Sequence, residues 1–158
     1  MPYVYMSDKW APPTWRFFHV FAEKINPEYY RRNAARCLGL VKGICASLPC
    51  PDCRQHAVSF MRVISPRHVP TKEAFKSLIF LFHNYVNRRL GKRIFRRADL
   101  SIYRKANLGD AVNSFLGGFT ARYGNIMQSG RFSTHGARIA VARQITRFFR
   151  GQYRGFQA

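Results

Sequence analysis

Apolar residues recur at helical spacing along most of this chain. After Pro12-Pro13-Thr14, positions Trp15, Phe18, Phe21, Ala22 and Ile25 mark one face of a helix, with Thr14 as its expected cap and Pro27 as its stop. A second helix is expected from about Glu28 to Leu48, with Tyr30, Ala34, Cys37, Leu38, Val41, Ile44, Cys45 and Leu48 as its apolar stripe. A third runs from Pro51 to about Ile64 and buries Cys53, Ala57, Phe60, Met61 and Ile64. Ser65 to Pro70 reads as a loop. A fourth helix spans roughly Thr71 to Leu90, with Phe75, Leu78, Ile79, Phe82 and Val86 inward, and Gly91 ends it. No segment alternates as a strand does, so the pattern predicts an all-α protein built on an antiparallel four-helix bundle.

The C-terminal third is less regular. Residues 98–124 have helical spacing interrupted by Gly109, Gly117 and Gly118, and Gly124 to Gly136 reads as a polar linker. Ala137 to Arg150 is a last amphipathic helix, with Val141, Ala142, Ile145, Phe148 and Phe149 on one face and Arg143, Arg147 and Arg150 opposite.

The charge is extreme: 27 Lys and Arg against 7 Asp and Glu in 158 residues, a net +20. Asp110 is the last acid, and every charged residue after it is an arginine. Such a balance attracts anionic partners without defining a chemistry. It leaves three readings of the last helix: packing on the bundle or a second subunit, lying on an anionic membrane, or holding nucleic acid. With 47% apolar residues, 15% of the chain being aromatic, there is material for a full core. No apolar run is long enough to span a bilayer, and the first residues do not read as a secretion signal.

The candidate chemistry lies at Leu48-Pro49-Cys50-Pro51-Asp52-Cys53, followed by His56. Pro51 suits the first helical position and Cys50 the cap. Both sulfurs then sit in the first turn, where free N–H groups and the helix dipole favour a thiolate. A pair at this spacing can trade a disulfide or grip a metal. For zinc, Cys45, Cys50, Cys53 and either His56 or His83 form a possible tetrahedral set. A second ligand pair at knuckle spacing is missing, and a thioredoxin domain is disfavoured by the lack of a βαβ context. Trp15 and His19 share one face of the first helix, and His83 and Asn87 share one face of the fourth, with Asn84 beside them. Taken singly, each is an ordinary core or cap residue. Together they make aromatic and amide groups that face a cysteine pair across a bundle, a set able to hold a flat, polar-edged ring.

The chain resembles the Erv/ALR flavin-dependent sulfhydryl oxidases, especially those of large DNA viruses. The motifs are Trp10-Ala11-Pro12 leading to Trp15 and His19, Pro49-Cys50-Pro51-Asp52-Cys53 with His56, and His83-Asn84-Tyr85-Val86-Asn87 followed by Arg89-Leu90-Gly91-Lys92. The resemblance implies a bundle domain over residues 1–105 that cradles FAD and adds a short fifth helix, leaving residues 106–158 as a basic helical extension. It also implies a homodimer. Trp15, His19, His83, Asn84 and Asn87 are expected at the flavin, Lys92 at its phosphates, and His56 and Tyr85 in the same pocket. Tyr103 is the candidate for the adenine side. The second, structural cysteine pair of the family is expected to be absent, because Phe95-Arg96-Arg97 occupies the place of its later half.

The implied reaction makes disulfides from dithiol proteins, possibly including thioredoxin-like ones, and reduces O2 to H2O2. Cys50 is expected to be the attacked sulfur and Cys53 the one against the flavin, with no resident metal. Cys37 and Cys45, eight residues apart on one helix, would be separated by about 12 Å. Disulfides need less than about 7 Å between Cα atoms, so the two are not expected to pair as an internal relay. The viral resemblance points to the cytoplasm of an infected cell or the virion, without secretion. The non-enzymatic alternative is a basic, nucleic-acid-binding helical protein whose cysteines are structural or hold zinc.

Overall fold

The computed structural model describes residues 2–123 and 134–151, with side chains from residue 7 onward. Its elements are α1 (Pro2–Lys24), α2 (Pro27–Cys45), α3 (Pro51–Arg62), α4 (Lys72–Arg89), α5 (Leu108–Thr120) and α6 (His135–Gly151). Short 3-10 segments cover Pro66–His68 and Arg97–Lys105. No β-strand occurs among the described residues, and the fold is all-α. Asn26 and Thr71 cap α2 and α4 by accepting hydrogen bonds from first-turn N–H groups.

α1 departs from the sequence expectation. It begins far upstream of Thr14 and runs through Pro12 and Pro13, so Thr14 is not a cap. Each proline removes one donor from the helical ladder. The Thr14 hydroxyl instead donates to the Trp10 carbonyl at 2.6 Å. The carbonyl of Lys9, which Pro13 cannot bond, is the surface on which Gly118 of α5 sits. A Cβ placed on Gly118 would lie 2.5 Å from that oxygen. Gly117 and Gly118 therefore do not break the helix: both lie inside α5, and Gly118 permits its close approach to α1.

The core joins all six helices. Phe17, Phe21 and Ile25 of α1 meet Tyr30, Val41 and Ile44 of α2, Met61 of α3, Phe75 and Phe82 of α4, Phe115 and Phe119 of α5, and Ile145 and Phe148 of α6. Phe21 contacts Phe75 and Phe148 edge-to-face, with ring centroids 5.7 and 5.9 Å away, and Phe17 stacks on Phe115 at 4.7 Å. The stripe of α2 read from the sequence is buried as expected, including Cys37 and Cys45, whose thiols burial pushes up to about 12. Of the expected linker, residues 124–133 lie outside the described residues, and Gly136 belongs to the first turn of α6.

α6 lies antiparallel on α2. Gly43 faces Val141, with 3.9 Å between its Cβ position and the Val141 Cγ2, and Arg36 lies 5.1 Å over the Phe148 ring. Arg138, with no exposed surface, donates to the carbonyls of Phe119 at 2.7 Å and Ala121 at 2.9 Å. Its cation thus closes the C-terminal end of α5, where the helix dipole is negative. Its Nε donates to the Thr134 hydroxyl at 3.2 Å.

The two neighbouring glycines of α5 give opposite expectations. Gly118→Ala forces a Cβ onto the Lys9 carbonyl and should destabilise the fold by about 1–3 kcal/mol. Nothing lies within 4 Å of the corresponding position at Gly117. Gly117→Ala should therefore stabilise it by roughly 0.5–1 kcal/mol through reduced chain entropy. Denaturant unfolding of the two variants measures both.

Candidate active site

Cys50 adopts an extended backbone (φ −90°, ψ 118°) as the cap of α3, with Pro51 at the first helical position. The two sulfurs form the Cys50–Cys53 disulfide, with Cα atoms 5.2 Å apart. The Cys53 amide donates to the Cys50 sulfur at 3.2 Å, so the helix start points an N–H at the sulfur expected to be attacked. The preceding turn is pinned twice through one carbonyl. The Arg54 guanidinium donates to the Leu48 oxygen at 3.0 Å, and the Thr134 hydroxyl at 3.4 Å. With both sulfurs bonded to each other, neither is a thiolate ligand for zinc, and no cluster of metal-binding side chains occurs among the described residues.

Trp15 and His19 from α1 meet His83 from α4. The indole stacks on the His83 ring at 4.2 Å with 7° between planes, and His19 Nε2 lies 2.9 Å from His83 Nδ1 in a hydrogen bond. Burial, then the neighbouring His83, holds His19 down at about 3. Burial, then the Lys92 cation, holds His83 at about 4. Both imidazoles are therefore neutral at ordinary pH, and one must donate to the other. Tyr103 stacks on the far side of His19 at 4.6 Å and 6°. A cavity of about 10 Å³, room for a single water, lies beside His19 and Tyr103.

The end of α4 explains where Lys92 goes. Gly91 has φ +64°, and the Lys92 amide returns to the Asn87 carbonyl at 2.8 Å while the Gly91 amide bonds Arg88. This reversal, which needs a left-handed residue, ends the helix and folds an exposed cation back over its last turn. Asn87 is buried, yet its side-chain amide has no hydrogen bond with a described residue. Asn84 is occupied differently. Its Nδ2 donates to the Phe95 carbonyl and its Oδ1 accepts from the Phe95 amide, both at 2.8 Å.

That pair of hydrogen bonds places a residue for which the sequence suggested no role. The Phe95 ring packs 5.8 Å from His19 and 5.4 Å from His83. The available signal was a lone aromatic in the basic run Arg88 to Arg97. Tyr85 turns toward α3, with its ring 5.0 Å from Phe60. His56 is half-buried on α3 and has no hydrogen bond, ring or charge contact with a described residue. The structure thus gathers Trp15, His19, His83 and Tyr103 into one aromatic cluster, with Lys92 near enough to act on His83. His56 and Tyr85 stand outside it.

The donor set suits a flavin nucleotide: flat faces, two neutral imidazoles, an asparagine amide with no hydrogen bond to a described residue, and cations for a diphosphate. Removal of protons controls its integrity. The unfolded chain takes up protons at the two histidines from about pH 6.5 downward, whereas the folded chain resists until about pH 4 to 3. Their contribution to stability is complete above pH 6.5 and drains as pH falls through that window. A melting temperature followed from pH 7 to 4 should decline, and His19→Gln should flatten the decline.

A family model of the Erv1 / Alr family matches residues 12–105. The chain is 33% identical over 85 residues to an FAD-linked sulfhydryl oxidase of African swine fever virus, covering 54% of this chain and 71% of that protein. It is 35% identical over 91 residues to a protein of Invertebrate iridescent virus 6, covering 52% of this chain and 80% of that protein. Against the FAD-linked sulfhydryl oxidase ERV1 of Arabidopsis thaliana it is 29% identical over 82 residues, covering 52% and 42%. No solved structure matches the chain. The matched span runs from the α1 prolines through Tyr103 and so contains the disulfide, the histidine pair and the α4 reversal: this chain belongs to the Erv1 / Alr family.

Proposed function

We propose that this protein is an FAD-linked thiol oxidase that makes disulfides in dithiol protein substrates through Cys50–Cys53, with O2 reduced to H2O2. The observation that carries this reading is the disulfide at the start of α3, in a chain of this family whose histidine pair is buried and neutral. FAD, when bound, supplies a two-electron acceptor that no side chain can provide and a route onward to O2. Trp15, His19, His83 and Asn87 would hold its ring system, Lys92 its phosphates, and Tyr103 its remaining aromatic contact. Asn84 serves the site by fixing Phe95. His56 and Tyr85, on the α3 side, are the remaining candidates for the same pocket.

The protein's own chemistry is thiol–disulfide exchange. A substrate thiolate attacks the Cys50 sulfur, the Cys50–Cys53 bond breaks, and its electron pair leaves on Cys53 as a thiolate inside the first turn of α3. A second substrate thiolate attacks the substrate sulfur of the mixed disulfide, releases oxidised substrate and leaves Cys50 reduced. The helix start stabilises the negative sulfurs through its free N–H groups. Cys37 and Cys45 contribute no relay, since burial holds both as thiols on α2, and electrons come directly from the partner. Viral relatives support a place of action in infected cells or virions. No helix among the described residues is long and apolar enough to cross a membrane. Self-association as a homodimer belongs to the same reading and is measured by sedimentation.

The purified protein should be yellow and should consume O2 when given dithiothreitol. Cys53→Ser should lower turnover on the order of a thousandfold or more while leaving the fold intact. The double variant Cys37→Ala, Cys45→Ala should keep turnover with small dithiols within about twofold of the parent once its folding is verified. A colourless protein holding one zinc per chain would overturn the reading.

A further inference from the structure

The outer face of α6 carries a charge pattern that the redox site does not use. Arg143, Arg147 and Arg150 are exposed at i, i+4 and i+7, and none has an ion pair with a described residue. With Ile139, Ala142 and Thr146 they line an open groove of about 500 Å³. Arg36 of α2 is exposed beside them, held over the Phe148 ring. No acid follows Asp110 in the sequence, so no carboxylate on α6 neutralises the stripe.

We propose that this α6 surface binds nucleic acid through its phosphate backbone, without reading sequence. The spacing fits. Seven residues of helix carry the arginines along about 10 Å. One strand of a duplex presents a phosphate for about every 3.4 Å of its axis, so the stripe meets about three of them. Arginine suits phosphate because its planar fork donates two parallel hydrogen bonds.

Two observations exclude the competing occupants. A helix lying on a membrane must offer its apolar face to lipid. Here Val141, Ile145 and Phe148 are buried against α2, α1 and α5, so the face left outside is the charged one. A protein-binding surface has an apolar centre. Among the described residues, the exposed large apolar side chains are Val58, Val63, Leu81, Leu90, Ile94 and Ile102, none of them on α5 or α6. Those residues lie on α3, α4 and the segments that follow them. The basic surface is separate. Binding there tethers a disulfide-forming enzyme to nucleic acid and directs it to thiol proteins assembled on that polymer. The binding step does not depend on the redox reading, so either can fail alone.

The test is fluorescence anisotropy of the full-length protein with a labelled duplex DNA of arbitrary sequence, titrated at several salt concentrations. The parent should bind, with log K falling linearly against log salt. The variant Arg143→Gln, Arg147→Gln, Arg150→Gln should lose at least about tenfold in affinity, and its salt slope should be shallower by about 3. Its oxidation of dithiothreitol should be unchanged, because these side chains touch none of the redox machinery, and its unfolding transition checks the fold. A matched loss of charge elsewhere, Arg62→Gln, Arg67→Gln, Lys105→Gln, should leave binding close to the parent's. Equal losses in the two triple variants overturn the proposal, as does an α6 variant that binds DNA like the parent. Arginine-dependent binding to phosphatidylserine vesicles with none to DNA also overturns it, in favour of a membrane.

Discussion

Six consecutive residues of α1, Phe17 to Ala22, are all buried, and this single constraint organises the protein. Successive helical residues point about 100° apart, so such a run leaves no side of the helix for water. A helix apolar all round must be enclosed all round. One half of the enclosure is the bundle of α2, α3 and α4. The other is α5 and α6, whose Phe115, Phe119 and Phe148 close over Phe17 and Phe21. The C-terminal helices are thereby part of the same core as the redox bundle, and packing on the bundle was one of the three readings that the charge left open.

Enclosure of α1 also sets the electrostatics of the site. His19 sits inside that run, so its imidazole is deprived of water and stays neutral despite the protein's +20 charge. Its partner His83 is neutral for the same reason, reinforced by Lys92, which the reversal at Gly91 carries back over the end of α4. A molecule crowded with surface cations thus keeps an uncharged aromatic interior around His19 and His83. Apart from the buried Arg138 and Lys72, the described cations lie outside, where phosphates can reach them. The neutral rings lie inside, where a planar group needs contact without a fixed charge.

Close approach supports both arrangements. Gly118 lets α5 reach the backbone of α1 at the carbonyl that Pro13 leaves unbonded, and Arg138 then closes the C-terminal end of α5. The same Arg138 holds Thr134, whose hydroxyl reaches the Leu48 carbonyl ahead of the redox turn. A line of hydrogen bonds therefore runs from the C-terminal helices to the residue two places before Cys50.

Local physics was readable in the linear chain. Helical periodicity, the proline after Cys50 and the glycine after Leu90 predicted the four helices of the bundle and the last helix, the cap position of the first cysteine and the end of α4. Each depends on residues within a turn or two of one another. The shared face of Trp15 and His19 was also foreseeable, because i, i+4 spacing fixes it. What could not be read were outcomes that depend on distant neighbours. Pro12 and Pro13 argued for a helix start, but packing of α5 on α1 carries the helix through them. Asn84 suggested a ligand contact, yet its amide is committed to the Phe95 backbone eleven residues away. Arg138 had no role legible in the sequence, and only the meeting of α5 and α6 gave it carbonyls to cap. Sequence specifies what each segment prefers alone; tertiary packing decides which of those preferences are overridden, because burial of large aromatic surface outweighs the cost of one lost hydrogen bond or one desolvated charge.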